Sequence, residues 1–409
     1  MTVSRFFFLV TGLSVLSSSC NTNQRPVADL SKVPGTVIHH NPASTRNYLG
    51  SPSILILPGG DYVASLDLNS WDMERVEDEY TLIYKSTDKG ISWTKLAEIK
   101  TQHWASLFFH KGEIYIVGTK AKYNDLVIQK SSDGGKTWTV PADEHSGLIA
   151  EGKYHCAPVP VVVQKGRIWR GIEVVVEGKS GKLALVMSAP LEADLLQRSS
   201  WTLSNAIEYQ KDWLEGSNGW IEGNVVVTPD GELVDIIRLQ TRTGSKLHDL
   251  AAMINIDEEG KTASFNPEKG YVGVPGGCDK KFTIRFDSVS SRYWSLANWI
   301  PPDFMGYLDT LRAGKIRNTL ALVSSPDLNE WKIERVLLHH PDIVKHGFQY
   351  ADWRVEDKDI VTVIRTGYDD GLGGPRNYHD ANFITFMRVP DFRNPDLNNY
   401  ETTGFTFGE

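Results

Sequence analysis

One short motif occurs twice in the chain and constrains its fold more than any other feature. The two copies are residues 86–93 (STDKGISW) and 131–138 (SSDGGKTW), and each follows an alternating apolar stretch. In this order the aspartate caps backbone N–H groups, the glycine supplies a positive φ, and the tryptophan folds back as a hydrophobic anchor. Residues 325–331 (SPDLNEW) are a third copy, one residue shorter, with Asn329 in the glycine's place. The motif therefore predicts tight hairpins.

A longer unit, in which two apolar strands flank a turn, recurs six times. The segments are 51–67, 105–119, 157–173, 223–239, 282–298 and 350–366. Their turns lie 53 to 68 residues apart, more than the roughly 40–50 residues of a compact four-stranded blade, so we expect loops of varied length. The pattern predicts an all-β, six-bladed β-propeller, with a seventh blade left open. Pairing of residues 37–40 with 383–389 would close the ring. The alternative is a β-sandwich or two β domains.

The N-terminus predicts export. Arg5 precedes an apolar run, residues 6–16, that is too short to span a bilayer, and residues 17–20 read SSSC. We therefore expect a lipoprotein signal peptide over residues 1–20, with Cys20 as the lipidated residue, and plain secretion is the alternative. Residues 21–35 read as a polar tether and residues 36–409 as a single propeller domain. The protein would lie on the outer membrane through its lipid anchor, or in the periplasm.

Composition excludes some partners. A net charge of −8 argues against nucleic acid as the main partner, but a local basic pocket can still bind a polyanionic sugar. We expect a monomer that binds an anionic oligo- or polysaccharide. Cys156 and Cys278 could form a disulfide or stay as buried thiols. No CxxC or HExxH spacing indicates a metal site, so we expect no metal ligands and no cofactor, with a cation in the channel left open.

The geometry of the repeat gives the candidate site. Residues just before the innermost strand of each blade gather at one mouth of the channel, and the ends of the second strands return there. The first group is Arg46, Tyr48, His103, Trp104, Tyr154, His155, Trp220, Glu222, Asn224, Lys280, Lys281, Gln349 and Tyr350; the second is Asp67, Arg170, Arg238, Asn298 and Arg365. Arginines bind a carboxylate and aromatic rings stack on sugars, so the set suits an anionic sugar. The alternative role of the tryptophans is packing in the core. The alternative role of Arg238 and Arg365 is to pair with buried acids between blades.

The short motif resembles the Asp-box, or bacterial neuraminidase repeat, of sialidase-like β-propellers, where it is structural. A sialidase needs three arginines on the substrate carboxylate, a Tyr–Glu nucleophile pair and an acid Asp, and its first arginine lies in a Phe/Tyr-Arg-Ile-Pro motif. Residues 49–54 (LGSPSI) have the same frame, but Gly50 stands in the arginine's place. Arg46, four residues upstream, is the candidate substitute. The resemblance implies the scaffold without a visible carboxylate clamp.

A second resemblance concerns residues 154–158 (YHCAP) and 166–170 (GRIWR), which look like the segment carrying the catalytic tyrosine and arginine of propeller-type ulvan lyases and of related oligosaccharide dehydratases. It implies β-elimination at a uronic acid. Arg170, helped by His103 or His155, would neutralise the carboxylate, and Tyr154 or His103 would remove the C5 proton. Substrate binding would fall to Arg46, Trp104, Trp220, Glu222, Asn224, Arg238, Lys281, Tyr350 and Arg365. This lyase or dehydratase is the leading hypothesis.

Two other functions fit the same scaffold. A glycoside hydrolase of sialidase-like or α-L-rhamnosidase-like type would use carboxylates at the mouth, and Asp67, Glu173 and Glu222 are the candidates. A non-catalytic glycan-binding lipoprotein would use the same basic and aromatic residues without turnover.

Overall fold

The computed structural model describes residues 1, 27–72, 79–394 and 396–397. Cys20 and most of the predicted signal peptide lie outside the described residues. Residues 27–35, the described part of the predicted tether, lie against the domain: the Asp29 N–H donates to the Asp370 carbonyl at 2.9 Å, and Val33 is buried. Within the described ranges, no helix has the length and apolar character needed to cross a membrane.

The described chain is built almost entirely from strands. The strands of its first half are β1 (Thr36–His40), β2 (Asn47–Ile56), β3 (Tyr62–Ser70), β4 (Tyr80–Ser86), β5 (Thr94–Ile99), β6 (His103–His110), β7 (Glu113–Thr119), β8 (Asn124–Ser131), β9 (Leu148–His155), β10 (Val162–Gln164), β11 (Arg167–Val174), β12 (Leu183–Pro190) and β13 (Thr202–Leu203). Those of the second half are β14 (Ser217–Val227), β15 (Leu233–Thr241), β16 (Leu250–Ile256), β17 (Ala263–Ser264), β18 (Tyr271–Gly273), β19 (Ile284–Asp287), β20 (Arg292–Ala297), β21 (Thr319–Ser325), β22 (Lys332–His339), β23 (Gly347–Glu356), β24 (Asp359–Gly367) and β25 (Phe383–Val389). Short 3-10 helices cover Ala43–Thr45, Arg198–Ser200, Pro302–Asp309 and Ala313–Lys315.

These strands form five sheets, whose strand pairs are antiparallel. One is β2-β3-β4-β5, one is β14-β15-β16-β17 with β18 on β16, one is β19-β20-β21-β22, and one is β23-β24-β25-β1. The fifth has eight strands, because β9 pairs with both β8 and β11. All six predicted hairpins are present in these sheets. The predicted number of blades, six or seven, stays a prediction because the sheets number five.

The sheets close into a ring. Strand β1 pairs with β25, so the first described strand completes the last sheet and the predicted closure is confirmed. Hydrogen bonds also link neighbouring inner strands: Leu107 N–H to Ser53 Oγ (3.1 Å), Ser106 Oγ–H to Val159 O (2.8 Å), Ile284 N–H to Asn224 Oδ1 (2.8 Å), Thr283 Oγ1–H to Ala351 O (2.8 Å) and Ile54 N–H to Asp352 Oδ2 (2.9 Å). This arrangement is an all-β propeller.

Four of the inner strands carry a bulge near the same end. The register shifts between Gly50 and Ser53 in β2, and at the equivalent points in β6, β14 and β23. At each bulge one non-glycine residue has a positive φ, namely Ser51 (48°), Trp104 (48°), Glu222 (68°) and Tyr350 (55°). Such backbone costs on the order of 1–3 kcal/mol per residue, and bulges re-aim side chains beside functional sites. The bulges therefore mark one mouth of the ring.

The Asp-box turns have the predicted capping bonds. Asp133 accepts hydrogen bonds from the N–H (3.0 Å) and hydroxyl (2.7 Å) of Thr137, and Gly135 has a φ of 97°. In the third copy the positive φ falls on Leu328 (71°), whose N–H donates to Ser325 Oγ at 2.8 Å. Leu328, and not Asn329, therefore stands in the glycine's place. The residue that this shorter copy lacks lies before the position with the positive φ.

Both described cysteines, Cys156 and Cys278, are free and buried, so of the two alternatives the thiols are observed. Burial raises the pKa of Cys156 to about 11 and that of Cys278 to about 12. Neither thiol is a reactive thiolate at neutral pH.

Candidate active site

A pocket of about 630 Å³ opens at the bulged mouth, where the first strand of a sheet begins, the second ends and the third begins. Its lining residues are Arg238, Gln240, Asp279, Leu311, Arg312, Lys315, Arg317, Ile343, Val344, Tyr350, Asn377, Tyr378, His379 and Asp380. Four cations face two carboxylates in this lining. Asp279 already accepts bonds from Thr241 and Arg312, so the pocket keeps an excess of positive charge suited to an anion.

The central contact of the site joins two of the bulge residues. The Tyr350 hydroxyl donates to Glu222 Oε1 at 2.9 Å, and Arg238 Nε lies 2.8 Å from Glu222 Oε2. Both Glu222 and Tyr350 are more than nine-tenths buried. Burial opposes ionisation of Glu222, but the charges of Arg238 and His155 and the bond from Tyr350 outweigh it, so the pKa of Glu222 lies below its ordinary value. The pair is a phenol held against an ionised carboxylate.

Two guanidinium groups lie over the Tyr350 ring, and a third is paired with Glu222, the partner of its hydroxyl. Arg317 lies 5.7 Å and Arg365 lies 5.1 Å from its centroid, while Arg238 is paired with Glu222. The backbone carbonyl of Asp279 accepts from both Arg238 Nη1 (2.6 Å) and Arg317 Nη2 (2.8 Å). All three arginines are more than nine-tenths buried, and the fixed positions of Arg238 and Arg317, which line the pocket, suit a bound carboxylate at little cost in conformational entropy.

Arg365 and Asn69 lie beside Gly50, and a Cβ atom added to Gly50 would be 2.9 Å from Asn69 Nδ2. A Cβ atom added to Gly50 would lie 3.7 Å from Arg365 Nη1. Its guanidinium also lies over the Tyr48 ring at 5.2 Å and donates to the His379 carbonyl. Arg46, the substitute expected from the sequence, is exposed in a left-handed turn (φ 60°). The guanidinium nearest to Gly50 therefore belongs to Arg365 in β24, at the far end of the chain, and not to Arg46.

The structure brings together four of the residues proposed from the sequence at this contact: Glu222, Arg238, Tyr350 and Arg365. A second group lies beside them. His155 Nδ1 is 2.6 Å from Glu173 Oε2, and Glu173 Oε1 accepts the Glu222 N–H at 2.5 Å. The Trp104 ring packs on His155 with centroids 4.3 Å apart and remains partly exposed.

His103 belongs to this second group. Its Nε2 lies 4.0 Å from the Asp67 carboxylate, and burial lowers the pKa of its imidazole. Asp67 accepts hydrogen bonds from Thr81 (2.7 Å) and from the Trp104 N–H (2.8 Å), so it is fully engaged in the sheet. His103 and Asp67 thus hold the bulge that presents Trp104.

The structure does not bring together Tyr154 and Arg170, the catalytic pair proposed from the sequence. Arg170 donates to the backbone carbonyls of Trp104 (3.0 Å), Ala157 (2.7 Å) and Val117, and is only 1% exposed. Tyr154 pairs with Val174, four residues from Arg170 along β11, a separation of about 13 Å at 3.3 Å per residue. Its ring lies in a hydrophobic cluster, where burial raises its pKa. Neither residue lines the pocket.

Three further residues proposed as substrate ligands have structural contacts instead. Trp220 is fully buried in an aromatic cluster with Tyr209 and Phe265. Asn224 bridges β14 and β19 by accepting the Ile284 N–H. Lys281 donates to Thr283 Oγ1 (2.5 Å) and the Ala351 carbonyl (3.0 Å), and burial lowers its pKa to about 8.

Sequence reasoning missed Arg317, which completes the guanidinium group. Arg317 precedes β21, the third strand of its sheet, and third strands begin at the same end as first strands. The expectation that residues just before a first strand gather at the mouth also holds for third strands. Extending it to them would have found Arg317 together with Lys315. The Tyr378–Asp380 segment was also missed, because it lies in the loop between β24 and β25, whose path no local pattern predicts.

No protein-family model and no curated protein matches this sequence. Solved structures do match. The α-L-arabinanase of Penicillium chrysogenum complexed with arabinobiose is 16% identical, with a TM-score of 0.55 over 90% of this chain and 99% of that chain. The α-L-arabinofuranosidase of Fusarium graminearum is 12% identical, with a TM-score of 0.54 over 87% of this chain and 97% of that chain.

A third similar structure is the sialidase of Trypanosoma rangeli in complex with sialic acid. It is 13% identical, with a TM-score of 0.55 over 87% of this chain and 57% of that chain. At these identities the similarity shows the fold. The chain has an all-β propeller fold similar to that of this sialidase, the arabinanase and the arabinofuranosidase.

Proposed function

We propose that the protein is a carbohydrate-active enzyme that hydrolyses a glycoside of an anionic sugar, with Tyr350 as the nucleophile. The 2.9 Å hydrogen bond from Tyr350 to the ionised Glu222, beside three guanidinium groups, carries this proposal. The names of the similar proteins, an arabinanase, an arabinofuranosidase and a sialidase, support an enzyme that acts on glycans. We also propose that the eight-stranded sheet comprises two blades, which gives the propeller six.

The proposed substrate is a sugar acid. Arg238 and Arg317 line the pocket and would bind the sugar carboxylate, while Lys315, exposed at the rim, adds a further positive charge. A neutral phenol suits such a substrate as nucleophile, because a carboxylate nucleophile would be repelled by the sugar's own negative charge. Tyrosine nucleophiles are a known exception to the two-carboxylate rule of glycoside hydrolysis.

The reaction then has two steps. Tyr350 Oη attacks the anomeric carbon as its proton passes to Glu222, and the bond to the leaving oxygen breaks as that oxygen takes a proton from solvent. Water next attacks the anomeric carbon and breaks its bond to Tyr350 Oη. The water gives up one proton to solvent, and Glu222 returns its proton to the Tyr350 oxygen. The excess guanidinium charge stabilises the bound anion through both steps.

β-Elimination at a uronate, the reaction favoured by the sequence, is the second candidate. The same guanidinium groups could neutralise a uronate carboxylate, and the Tyr350–Glu222 pair is also a base. The residues proposed for elimination from the sequence, Tyr154 and Arg170, lie outside the pocket, which makes hydrolysis the better supported reaction.

Methylumbelliferyl glycosides test the proposal, because a good leaving group removes the need for an acid on the leaving oxygen. We expect turnover of the sialic acid or glucuronic acid glycoside over the neutral arabinofuranoside. Tyr350→Phe and Glu222→Gln should abolish it, while Tyr154→Phe, which removes the hydroxyl of another buried tyrosine, should not. Preference for the neutral glycoside would contradict the proposal. So would unsaturated products from uronic acid oligosaccharides, or tight binding of sugar acids without turnover.

Export and membrane anchoring remain part of the proposal. We propose that the signal peptide is cleaved before Cys20 and that the lipid on Cys20 holds the protein at the outer membrane. Metabolic labelling with a radioactive fatty acid checks this, since the Cys20→Ser variant should lose the label. A labelled Cys20→Ser variant would contradict it.

A further inference from the structure

Three rings, those of Trp104, Tyr123 and His155, form an aromatic group at the mouth, outside the pocket. Trp104 packs on His155 with ring centroids 4.3 Å apart, and the Tyr123 ring meets Trp104 edge-on at 5.1 Å. The Tyr123 and His155 centroids are 6.0 Å apart, so each ring lies against the other two. Trp104 is partly exposed and Tyr123 is 42% exposed. The aromatic group therefore presents two large rings to solvent beside a buried imidazole.

Strained backbone holds both exposed rings in place. Trp104 has a φ of 48° and Tyr123 has a φ of 52°. A positive φ is uncommon in a bulky residue, and it persists only where the surrounding structure enforces it, often beside a ligand. Neither side chain is fully buried, so packing in the core does not by itself explain why these two residues adopt it.

The position of Tyr123 in the sequence explains why it reaches the mouth. Tyr123 directly precedes β8 and Lys182 directly precedes β12. Each of these strands follows an inner hairpin, β6–β7 or β10–β11, and antiparallel pairing makes it begin at the end where the hairpin began. Lys182 Nζ lies 5.6 Å from the centroid of the Tyr123 ring, a cation–π contact that restrains the exposed phenol.

Glu222 lies at the boundary between the pocket and the aromatic group. On one side its carboxylate contacts Tyr350 and Arg238, which line the pocket. On the other side its N–H donates to Glu173, whose second carboxylate oxygen is 2.6 Å from His155 Nδ1. The pocket is lined by residues between β15 and the loop after β24, whereas the aromatic group belongs to β6, β9 and the turn before β8. The two sites therefore occupy different parts of the mouth, with the proposed nucleophile and its base where they meet.

We propose that Trp104 and Tyr123 form a subsite for a second sugar ring of the substrate, the unit released with the leaving oxygen. This inference rests on the proposed function, in which the pocket holds the sugar acid and Tyr350 attacks its anomeric carbon. Aromatic rings stack on the apolar faces of sugars, and two rings at 81° to each other contact a sugar on its face and on its edge. The preferred substrate is then an oligosaccharide that ends in a sugar acid.

Titration calorimetry on the full chain carrying Tyr350→Phe, which blocks turnover, tests the subsite. The probes are two matched pairs: sialyllactose with sialic acid, and the disaccharide of glucuronic acid and xylose with glucuronic acid. In at least one pair we expect the Kd of the oligosaccharide to be about tenfold lower than that of the free sugar acid, because stacking removes apolar surface of the second sugar from water.

Further substitutions in the same background assign that difference to the aromatic group. Trp104→Ala or Tyr123→Ala should abolish the advantage of the oligosaccharide and leave the Kd of the free sugar acid unchanged. Tyr123 is an exposed side chain, so Tyr123→Ala keeps the fold even if Trp104→Ala does not. Tyr307→Ala is the matched control, since Tyr307 is 44% exposed and lies in the 3-10 helix Pro302–Asp309. It should retain the full advantage.

The outcomes separate this subsite from the proposed reaction. Equal Kd values within both pairs would overturn the subsite and leave the proposed function intact, and so would an advantage that Tyr123→Ala and Tyr307→Ala lose to the same extent. An advantage that depends on Tyr123, in a protein whose unaltered form turns over none of the glycosides, would support the subsite and contradict the proposed hydrolysis. Failure of all four probes to bind would overturn both.

Discussion

The Tyr350 hydroxyl and the Glu222 carboxylate meet at 2.9 Å although 128 residues separate them in the sequence. Each lies at a bulge in an inner strand and has a positive φ. Closure of the ring is what brings these two bulges face to face. Because both residues occupy strained backbone in separate sheets, the contact is held by the whole propeller rather than by one loop.

The pH dependence of activity should report the ionisation of Glu222. Its pKa lies below the ordinary value of about 4.3, so the base stays ionised, and the rate should hold, until the pH falls through that lowered pKa. Arg238→Gln removes the largest charge that favours the ionised form and should move the acid limb of kcat/KM to higher pH. Arg238→Lys, which keeps the charge, should move it less. If the acid limb of kcat/KM lay at the same pH in the unaltered protein, Arg238→Gln and Arg238→Lys, Glu222 would not be the base.

Gln349 should act by positioning Arg317. The Gln349 Oε1 accepts from Arg317 Nη1 at 2.6 Å and its Nε2 donates to the Tyr378 carbonyl at 2.5 Å. Gln349→Leu removes a charge-assisted bond of about 1.5–3 kcal/mol, so KM for the sugar acid should rise about tenfold or more with a smaller change in kcat. Gln102→Leu, an equally buried glutamine away from the pocket, is the control. A fall in kcat alone would argue against this role.

Much of the fold could be predicted from the sequence because its signals are local. Glycine turns placed four of the six hairpins, polar turns at residues 287–291 and 356–357 placed the other two, and capping aspartates placed the Asp-box turns. Strand register is not local: Tyr154 pairs with Val174 rather than reaching Arg170, because residues 156–161 leave the sheet. Arg365 beside Gly50 joins two ends of the chain, a relationship that only ring closure creates. The candidate site was therefore predicted in part, through Glu222, Arg238, Tyr350 and Arg365.

Arg170 should contribute to stability rather than to catalysis. Arg170→Met removes three hydrogen bonds that a buried guanidinium donates to backbone carbonyls, and a hydrogen bond to a charged group contributes about 1.5–3 kcal/mol. We expect the free energy of unfolding, measured with denaturant, to fall by about 3 kcal/mol or more. Arg46→Met, at an exposed position, should change it by less than about 0.5 kcal/mol. A stable but inactive Arg170→Met protein would return Arg170 to the role that the sequence suggested.

The Asp-box aspartates should stabilise the fold without taking part in chemistry. Hydrogen bonds from Ser92 and Ser86 lower the pKa of Asp88 to about 2. A lowered pKa means that this contribution is present above the ordinary value near 3.9 and is lost as the pH falls towards about 2. Asp88→Ala should therefore lower Tm at neutral pH, and its difference from the unaltered chain should shrink in that window. Activity below the melting range should be unchanged, and a fall in kcat there would contradict this assignment.

The arginines around Tyr350 should separate into two kinetic classes. Arg317 lines the pocket and Arg365 does not, although both lie over the Tyr350 ring. Arg317→Met should raise KM for the sugar acid, because it removes a donor to the bound carboxylate. Arg365→Met should instead lower kcat with little change in KM, since it removes a cation–π contact of about 0.5–2 kcal/mol that positions the nucleophile, a loss of roughly two- to thirtyfold. Arg167→Met removes a similar stacked guanidinium, 5.5 Å from the Trp169 ring, and should leave both constants unchanged. If Arg365→Met raised KM as strongly as Arg317→Met does, Arg365 would contact the substrate, and the guanidinium beside Gly50 would be a direct ligand of the sugar carboxylate.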